Sequence, residues 1–79
     1  MTNAKWNHSY YAREVVDGPE GPRSQYCRFD TVAERKNWLA KDTVNRTKVD
    51  ERVQVLKDMR ARGVTWDRID GVSYAREPA

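Results

Sequence analysis

The sequence predicts an α+β domain in which an N-terminal β-hairpin packs against two α-helices, followed by a short C-terminal helical turn or strand. Two runs of β-favouring residues, 8–16 and 24–29, flank a segment dense in glycine and proline, which is typical of a hairpin. Thr31 and Glu34 have the spacing of a helix capping box. Apolar residues then recur at helical spacing between positions 49 and 59. With 79 residues, the chain has the length of a single small domain, 1–79.

The register of the hairpin follows from where its tip lies. If the tip centres near Glu20, the core face carries Tyr11, Arg13 and Val15 opposite Phe29, Cys27 and Gln25. The outer face then carries Tyr10, Ala12, Glu14, Tyr26 and Arg28. On this face Glu14 and Arg28 come close enough to form an ion pair, and the aromatic and arginine side chains are of the types that anchor protein interfaces.

The first helix is predicted to run from Val32 to about Lys41. Thr31 is its N-cap, and Glu34 completes the capping box three residues later. The apolar side of this helix is formed by Val32, Trp38 and Leu39.

The second helix is predicted from a weaker cap, Thr47 with Asp50 three residues later. Its apolar residues are Val49, Val53, Leu56 and Met59, and Gly63 follows as its C-terminal stop. A strand over 47–55 is the alternative, because the valines there also alternate. The length of the pattern and its caps favour the helix.

The C-terminal segment has two interpretations. Thr65 can cap a one-turn helix, or Asp70-Gly71 can form the two-residue turn of a second hairpin between 64–69 and 72–76. We expect the helical turn, followed by an extended tail that could add to the sheet.

Several classes of protein and site are excluded by composition. One cysteine, Cys27, cannot close an intramolecular disulfide, and one histidine, His8, leaves too few ligands for a structural zinc site. No stretch reaches the ~20 apolar residues that span a bilayer, and the N-terminus lacks a secretory pattern. The glycines form no phosphate-binding loop. We therefore expect a cytoplasmic protein that is not an enzyme, with no cofactor, no metal and no membrane partner.

Positive charge is concentrated in the middle of the chain. Residues 35–62 hold nine basic and four acidic residues, a net charge of +5 within a chain whose net charge is +3. Such a stretch is either a solvated surface with salt pairs or a positive patch for nucleic acid or an acidic protein. The candidate contact residues within it are Arg35, Arg46, Lys48, Arg60 and Arg62.

Tryptophan is frequent for so short a chain. Trp38 and Trp66 are predicted to pack in the core, whereas Trp6 precedes the first strand and either caps the hairpin or stays exposed.

Two segments resemble known protein families. The segment from Arg28 to Leu39, which follows a hairpin and contains Phe29-Asp30-Thr31 and Trp38-Leu39, resembles small phage-encoded anti-CRISPR proteins. That resemblance implies a non-enzymatic inhibitor that binds a host protein complex. The segment 56–69 is similar to the first helix and turn of helix-turn-helix DNA-binding proteins, but Asp70-Gly71 interrupts the place where a recognition helix would follow.

The expected function is therefore inhibition of a host CRISPR-Cas complex by a small phage or mobile-element protein, through protein–protein binding. The alternative is a nucleic-acid-binding or transcription-accessory module that uses the basic stretch 35–62. The expected partner-binding residues are Tyr10, Tyr26, Arg28, Arg35, Arg46, Lys48, Arg60 and Arg62. Because the core is small beside an open hairpin face, a homodimer is a further expectation.

Overall fold

The computed structural model describes residues 10–77, which form a five-stranded antiparallel sheet with one short helix against each face. The elements in chain order are β1 (Tyr10–Gly18), β2 (Gly21–Phe29), α1 (Val32–Ala40), β3 (Arg46–Val49), α2 (Gln54–Ala61), β4 (Thr65–Ile69) and β5 (Val72–Arg76). The strand order is β3-β1-β2-β5-β4. The two hairpins thus lie side by side, and β3 extends the sheet beyond β1.

The prediction of a hairpin packed against two helices is wrong, because the sheet has five strands and the helices lie on opposite faces. On the α1 face, Ala12, Cys27, Phe29 and Trp38 form one buried cluster. On the α2 face, Tyr11, Leu56 and Met59 form a second. Neighbouring residues of a strand point to opposite faces, so the consecutive residues Tyr11 and Ala12 supply both clusters.

The hairpin register differs from the prediction by one residue. Only Pro19 and Glu20 lie between the strands, so Tyr10 faces Phe29 and Ala12 faces Cys27. Gly21 closes this tight turn at φ 110°, a left-handed conformation that glycine adopts without strain. A slip of one residue exchanges the two faces of a strand relative to its partner.

The predicted outer face is therefore divided. Tyr10, Ala12 and Glu14 lie on the α1 face, whereas Tyr26 and Arg28 lie on the α2 face. Glu14 bonds to Arg46 rather than to Arg28. Helix α1 covers part of one face of the hairpin and α2 covers part of the other, so neither face is open along its whole length.

The second helix begins later than predicted. Residues Arg46–Val49 form β3, which pairs with β1, and α2 starts only at Gln54. Thr47 is consequently a strand residue rather than a cap, and Val53 at the N-cap makes no side-chain capping bond. The strand alternative is correct for residues 46–49, because β1 supplies the backbone partners that a local sequence pattern does not reveal.

The C-terminal segment is the second hairpin and not the helical turn that we expected. Asp70 at φ 52° and Gly71 at φ 82° form a two-residue turn with both residues left-handed, as the type I′ turn requires. Asp and Gly are the residue types that tolerate this geometry. The tail does extend the sheet, because β5 pairs with β2 at Cys27 and Arg28.

The prediction of α1 is confirmed. The Thr31 hydroxyl oxygen accepts a hydrogen bond from the Glu34 amide at 3.1 Å, and the hydroxyl donates to the Glu34 carboxylate at 3.3 Å. Trp38 is buried and its ring lies 5.4 Å from that of Phe29, whereas half of the Val32 surface remains exposed.

Arg46 connects three elements inside the α1 face. Its Nε donates to Glu14 on β1 at 2.8 Å, and its Nη1 donates to the Trp38 carbonyl oxygen at 2.8 Å. The guanidinium carbon also lies 4.0 Å from the centre of the Trp38 ring. Both charged side chains are largely withdrawn from solvent, with exposed fractions of 18% and 16%. Arg46 therefore stabilises the fold from within and is not a free surface charge.

This role predicts that Arg46→Ala lowers the free energy of unfolding by about 2–3 kcal/mol, because it leaves a partly buried Glu14 carboxylate without its donor. Urea denaturation measures the change. Lys48→Ala, at an exposed position of the same strand, is the matched control and is expected to change stability by no more than about 0.5 kcal/mol. Equal stability of the two variants would contradict the internal role of Arg46.

Candidate functional site

The eight predicted contact residues do not form one surface. Tyr10, Arg35 and Lys48 come together at one end of the sheet, and Arg46 is internal. Tyr26 and Arg28 lie on the α2 face of the sheet. Arg60 belongs to α2, and Arg62 is its C-cap.

An open cavity of about 330 Å³ lies where Tyr10, Arg35 and Lys48 meet. The Arg35 guanidinium lies 5.4 Å from the Tyr10 ring centre, and its Nη1 donates to the Tyr11 carbonyl oxygen at 3.3 Å. At the opposite wall, Arg52 bonds to Asp50 at 3.1 Å. Hydrogen bonds from Arg52 hold the pKa of Asp50 at about 2. Three charged side chains of this cavity, Arg35, Asp50 and Arg52, are thus engaged with the backbone or with each other.

The basic stretch 35–62 is distributed over both faces of the sheet. Lys36 and Lys41 belong to α1 and its C-cap, whereas Lys57 and Arg60 belong to α2 on the opposite face. Arg62 is paired with Glu77 at 2.9 Å, and this hydrogen bond lowers the pKa of Glu77. A duplex backbone needs positive charge gathered on one side. The basic residues of this stretch are instead divided between two faces.

Arg28 occupies a different environment from the other basic residues. Its guanidinium lies 5.4 Å from the centre of the Trp66 ring, and the side chain is only partly exposed. Within residues 10–77, no carboxylate or carbonyl oxygen accepts a hydrogen bond from it. The Trp66 ring lies within cation–π range of the guanidinium, whose N–H groups are free for an acceptor on another molecule.

The neighbours of Arg28 complete a surface. Ser73 lies beside Arg28 on β5, and Arg68 lies beyond Ser73 on β4, so the two arginines are about 10 Å apart at their backbones. Arg68 is 3.8 Å from Asp30, but both side chains are more than half exposed and the pair is weak. We call the side chains of Tyr26, Arg28, Trp66 and Arg68 the arginine–tryptophan surface.

Two members of this surface, Tyr26 and Arg28, are among the contact residues predicted from the sequence, whereas Trp66 and Arg68 are not. The omission follows from the C-terminal helical turn that we expected, which does not place 66 and 68 on one face of the sheet. The Asp70-Gly71 turn signal would have placed them there, because residues two apart on a strand share a face.

Few residues in the described part of the chain are placed to act as a nucleophile or as metal ligands. Among residues 10–77, no three His, Cys, Asp or Glu side chains gather as metal ligands. Cys27 is fully buried, as predicted. Burial raises the pKa of its thiol to about 12, with a smaller contribution from Glu14 that outweighs the opposing effect of Arg46. His8 and Trp6 lie outside the described residues.

No protein-family model matches the chain, and comparisons with curated proteins and with solved structures find no match either. Within residues 10–77, neither helix has the length and apolar character needed to cross a membrane.

The buried thiol gives a pH prediction. Its pKa is raised from the ordinary value of 9.0, so its contribution to stability is present below pH 9 and is lost as the pH rises towards 12. We expect the fall in unfolding free energy above pH 9 to be shallower in Cys27→Ala than in the native protein, as measured by urea denaturation. Identical slopes, or rapid labelling of the native thiol at pH 8 by a thiol reagent, would contradict its burial.

Proposed function

We propose that this protein acts without catalysis, by binding another protein through the arginine–tryptophan surface. The observation that carries the proposal is the Arg28 guanidinium, which lies 5.4 Å from the Trp66 ring centre with no acceptor among the described residues. A partner that supplies this acceptor gains a charge-assisted hydrogen bond beside an aromatic ring that already contacts the core.

The residue types of this surface support the same proposal. Tryptophan, tyrosine and arginine dominate the binding energy of protein interfaces, particularly where they are partly shielded from solvent. Tyr26 and Trp66 are partly buried beneath α2, and the Trp66 ring lies 5.6 Å from that of Tyr11. The aromatic side chains are therefore held by the core while their outer edges border the surface.

The partner that we propose is a protein of a host CRISPR-Cas complex, with the protein acting as an inhibitor in the host cytoplasm. The support is the resemblance of the segment from Arg28 to Leu39 to small phage-encoded anti-CRISPR proteins. Arg28, which opens that segment, is also the central residue of the arginine–tryptophan surface. The division of basic residues between two faces favours this protein-binding function over the nucleic-acid-binding alternative.

A phage-plaquing assay on a CRISPR-immune host tests the proposal. We expect Arg28→Ala to lower inhibition at least about tenfold, as the loss of an interface anchor worth ~2 kcal/mol would. Arg23→Ala is the matched control, because Arg23 is an exposed arginine on the same strand but on the α1 face. Circular dichroism verifies that both variants fold.

A triple variant with Lys48→Glu, Arg60→Glu and Arg62→Glu is the second arm of this assay. These residues lie outside the arginine–tryptophan surface, so we expect the triple variant to retain inhibition. If the triple variant loses inhibition and Arg28→Ala does not, the basic stretch contacts the target and the arginine–tryptophan surface does not. No inhibition by the native protein in any CRISPR-immune host would contradict the inhibitor function altogether.

A further inference from the structure

The sheet ends in two edge strands, β3 and β4, and they differ in what covers their outer sides. β4 has five residues and, within residues 10–77, pairs only with β5. The two-residue turn places Ile69 opposite Val72, so the backbone groups of Thr65, Asp67 and Ile69 point towards β5. The amides and carbonyls of Trp66 and Arg68 consequently point outward, away from the sheet.

Other open stretches of strand have outward backbone groups that are occupied or missing, whereas the outward amides of Trp66 and Arg68 in β4 have no backbone partner within residues 10–77. In β3, the outward amide of Arg46 already donates to the Asp42 carbonyl oxygen, and Lys48 is a charge of the kind that protects edges. The free edge of β2 contains Pro22, which has no N–H group, and the Gln25 side chain there donates to the Ala75 carbonyl oxygen at 3.1 Å. The sequence of β4 contains no proline, glycine or lysine.

The side chains along β4 define what could lie beside it. On the α2 face, Arg68 and Trp66 stand at the edge with Arg28 behind them. The exposed Asp30 carboxylate, 3.8 Å from Arg68, offsets part of this positive charge, and Arg28 has no carboxylate partner within residues 10–77. On the α1 face, Ile69 is 56% exposed, and the charge of Asp67 is offset by Arg76 at 2.6 Å. One face of an added strand would therefore meet arginine, and the other would meet an apolar side chain.

We infer that the outer edge of β4 accepts an extended, acidic segment of the partner protein as a sixth strand of the sheet. Its backbone bonds to Trp66 and Arg68, its carboxylates lie opposite Arg68 on the face that also carries Arg28 two strands further in, and its alternate apolar side chains cover Ile69. This inference rests on the proposed function, because it specifies which part of the protein partner contacts the arginine–tryptophan surface. Charge complementarity determines the choice of an acidic segment.

A second copy of this chain fits the edge less well. Antiparallel pairing of two β4 strands that engages Trp66 with Arg68 of the copy places the two Asp67 residues directly opposite each other, and like charges in that position are destabilising. Stable interfaces also use roughly 20–30 residues from each partner, which a five-residue edge does not supply by itself.

The test uses blocked peptides as probes. One peptide alternates valine with glutamate, and its control replaces every glutamate with lysine. Amide hydrogen exchange and chemical shifts of the labelled full-length chain locate binding. We expect the valine–glutamate peptide to slow exchange of the Trp66 and Arg68 amides, and the lysine peptide to bind at least about tenfold more weakly.

Two proline variants distinguish the edges. Arg68→Pro removes an outward N–H of β4 and is expected to weaken peptide binding more than tenfold. Arg68→Gln removes the same charge but keeps the N–H, so the difference between the two variants measures the contribution of the backbone hydrogen bond. Lys48→Pro removes an outward N–H of β3 and is the matched control, with affinity unchanged. Retained binding in Arg68→Pro, or an equal loss in Lys48→Pro, would overturn the inference.

The remaining outcomes separate this inference from the proposed function. No change at Trp66 and Arg68 at millimolar peptide overturns strand addition, even if Arg28→Ala still loses inhibition and the proposed function stands. If the native chain sediments as a dimer and the Arg68→Pro variant sediments as a monomer, the β4 edge binds a second copy of the chain. That result would also overturn the inference. Peptide binding at β4 by a protein that inhibits no host would support the edge as a binding site while contradicting the proposed function.

Discussion

The register of the β1–β2 hairpin is the constraint on which the rest of the structure depends. The two strands face each other over nine residue pairs, and each is bonded on its other side to a further strand, β3 or β5. The tight turn at Pro19 and Glu20 sets this register. A shift by one residue would separate Ala12 from Cys27, the two residues within 10–77 that have no exposed surface, and would move one of them out of the α1-face cluster.

The same register gives two arginines opposite roles. It directs Glu14 to the α1 face, where Arg46 reaches it from β3 and also bonds to α1. It directs Arg28 to the α2 face, where Trp66 of the second hairpin lies beneath it. The Arg46 guanidinium has its donors engaged within the fold, whereas the Arg28 guanidinium lies near the Trp66 ring and has no acceptor among residues 10–77. The face on which each arginine lies thus decides which donors the fold itself uses.

Local signals in the sequence predicted those elements whose cause is local. The capping box of Thr31 and Glu34 places the start of α1, and the segment rich in glycine and proline indicates the first hairpin. The turn at Asp70-Gly71 contained enough information for the second hairpin, although the helical turn was preferred. The placement of β3 and of the helices could not be predicted, because it depends on pairing with a strand more than thirty residues away and on which face each helix covers. Tyr26 and Arg28 were recognised by residue type, whereas Trp66 and Arg68 required the strand that local propensity did not favour.

The hairpin register places Arg28 on the same face as Tyr11, and the pairing of β5 with β2 and with β4 brings Trp66 to that face as well. Nuclear Overhauser spectroscopy of the labelled chain measures this register, because opposed residues outside the hydrogen-bonded pairs of an antiparallel sheet bring their α-protons close together. We expect strong α-proton contacts between Tyr11 and Arg28 and between Arg13 and Tyr26, together with contacts from the Arg28 side chain to the Trp66 ring. Contacts between Tyr11 and Phe29 and between Arg13 and Cys27 in their place would show the register to be wrong, because they would put Arg28 and Tyr11 on opposite faces.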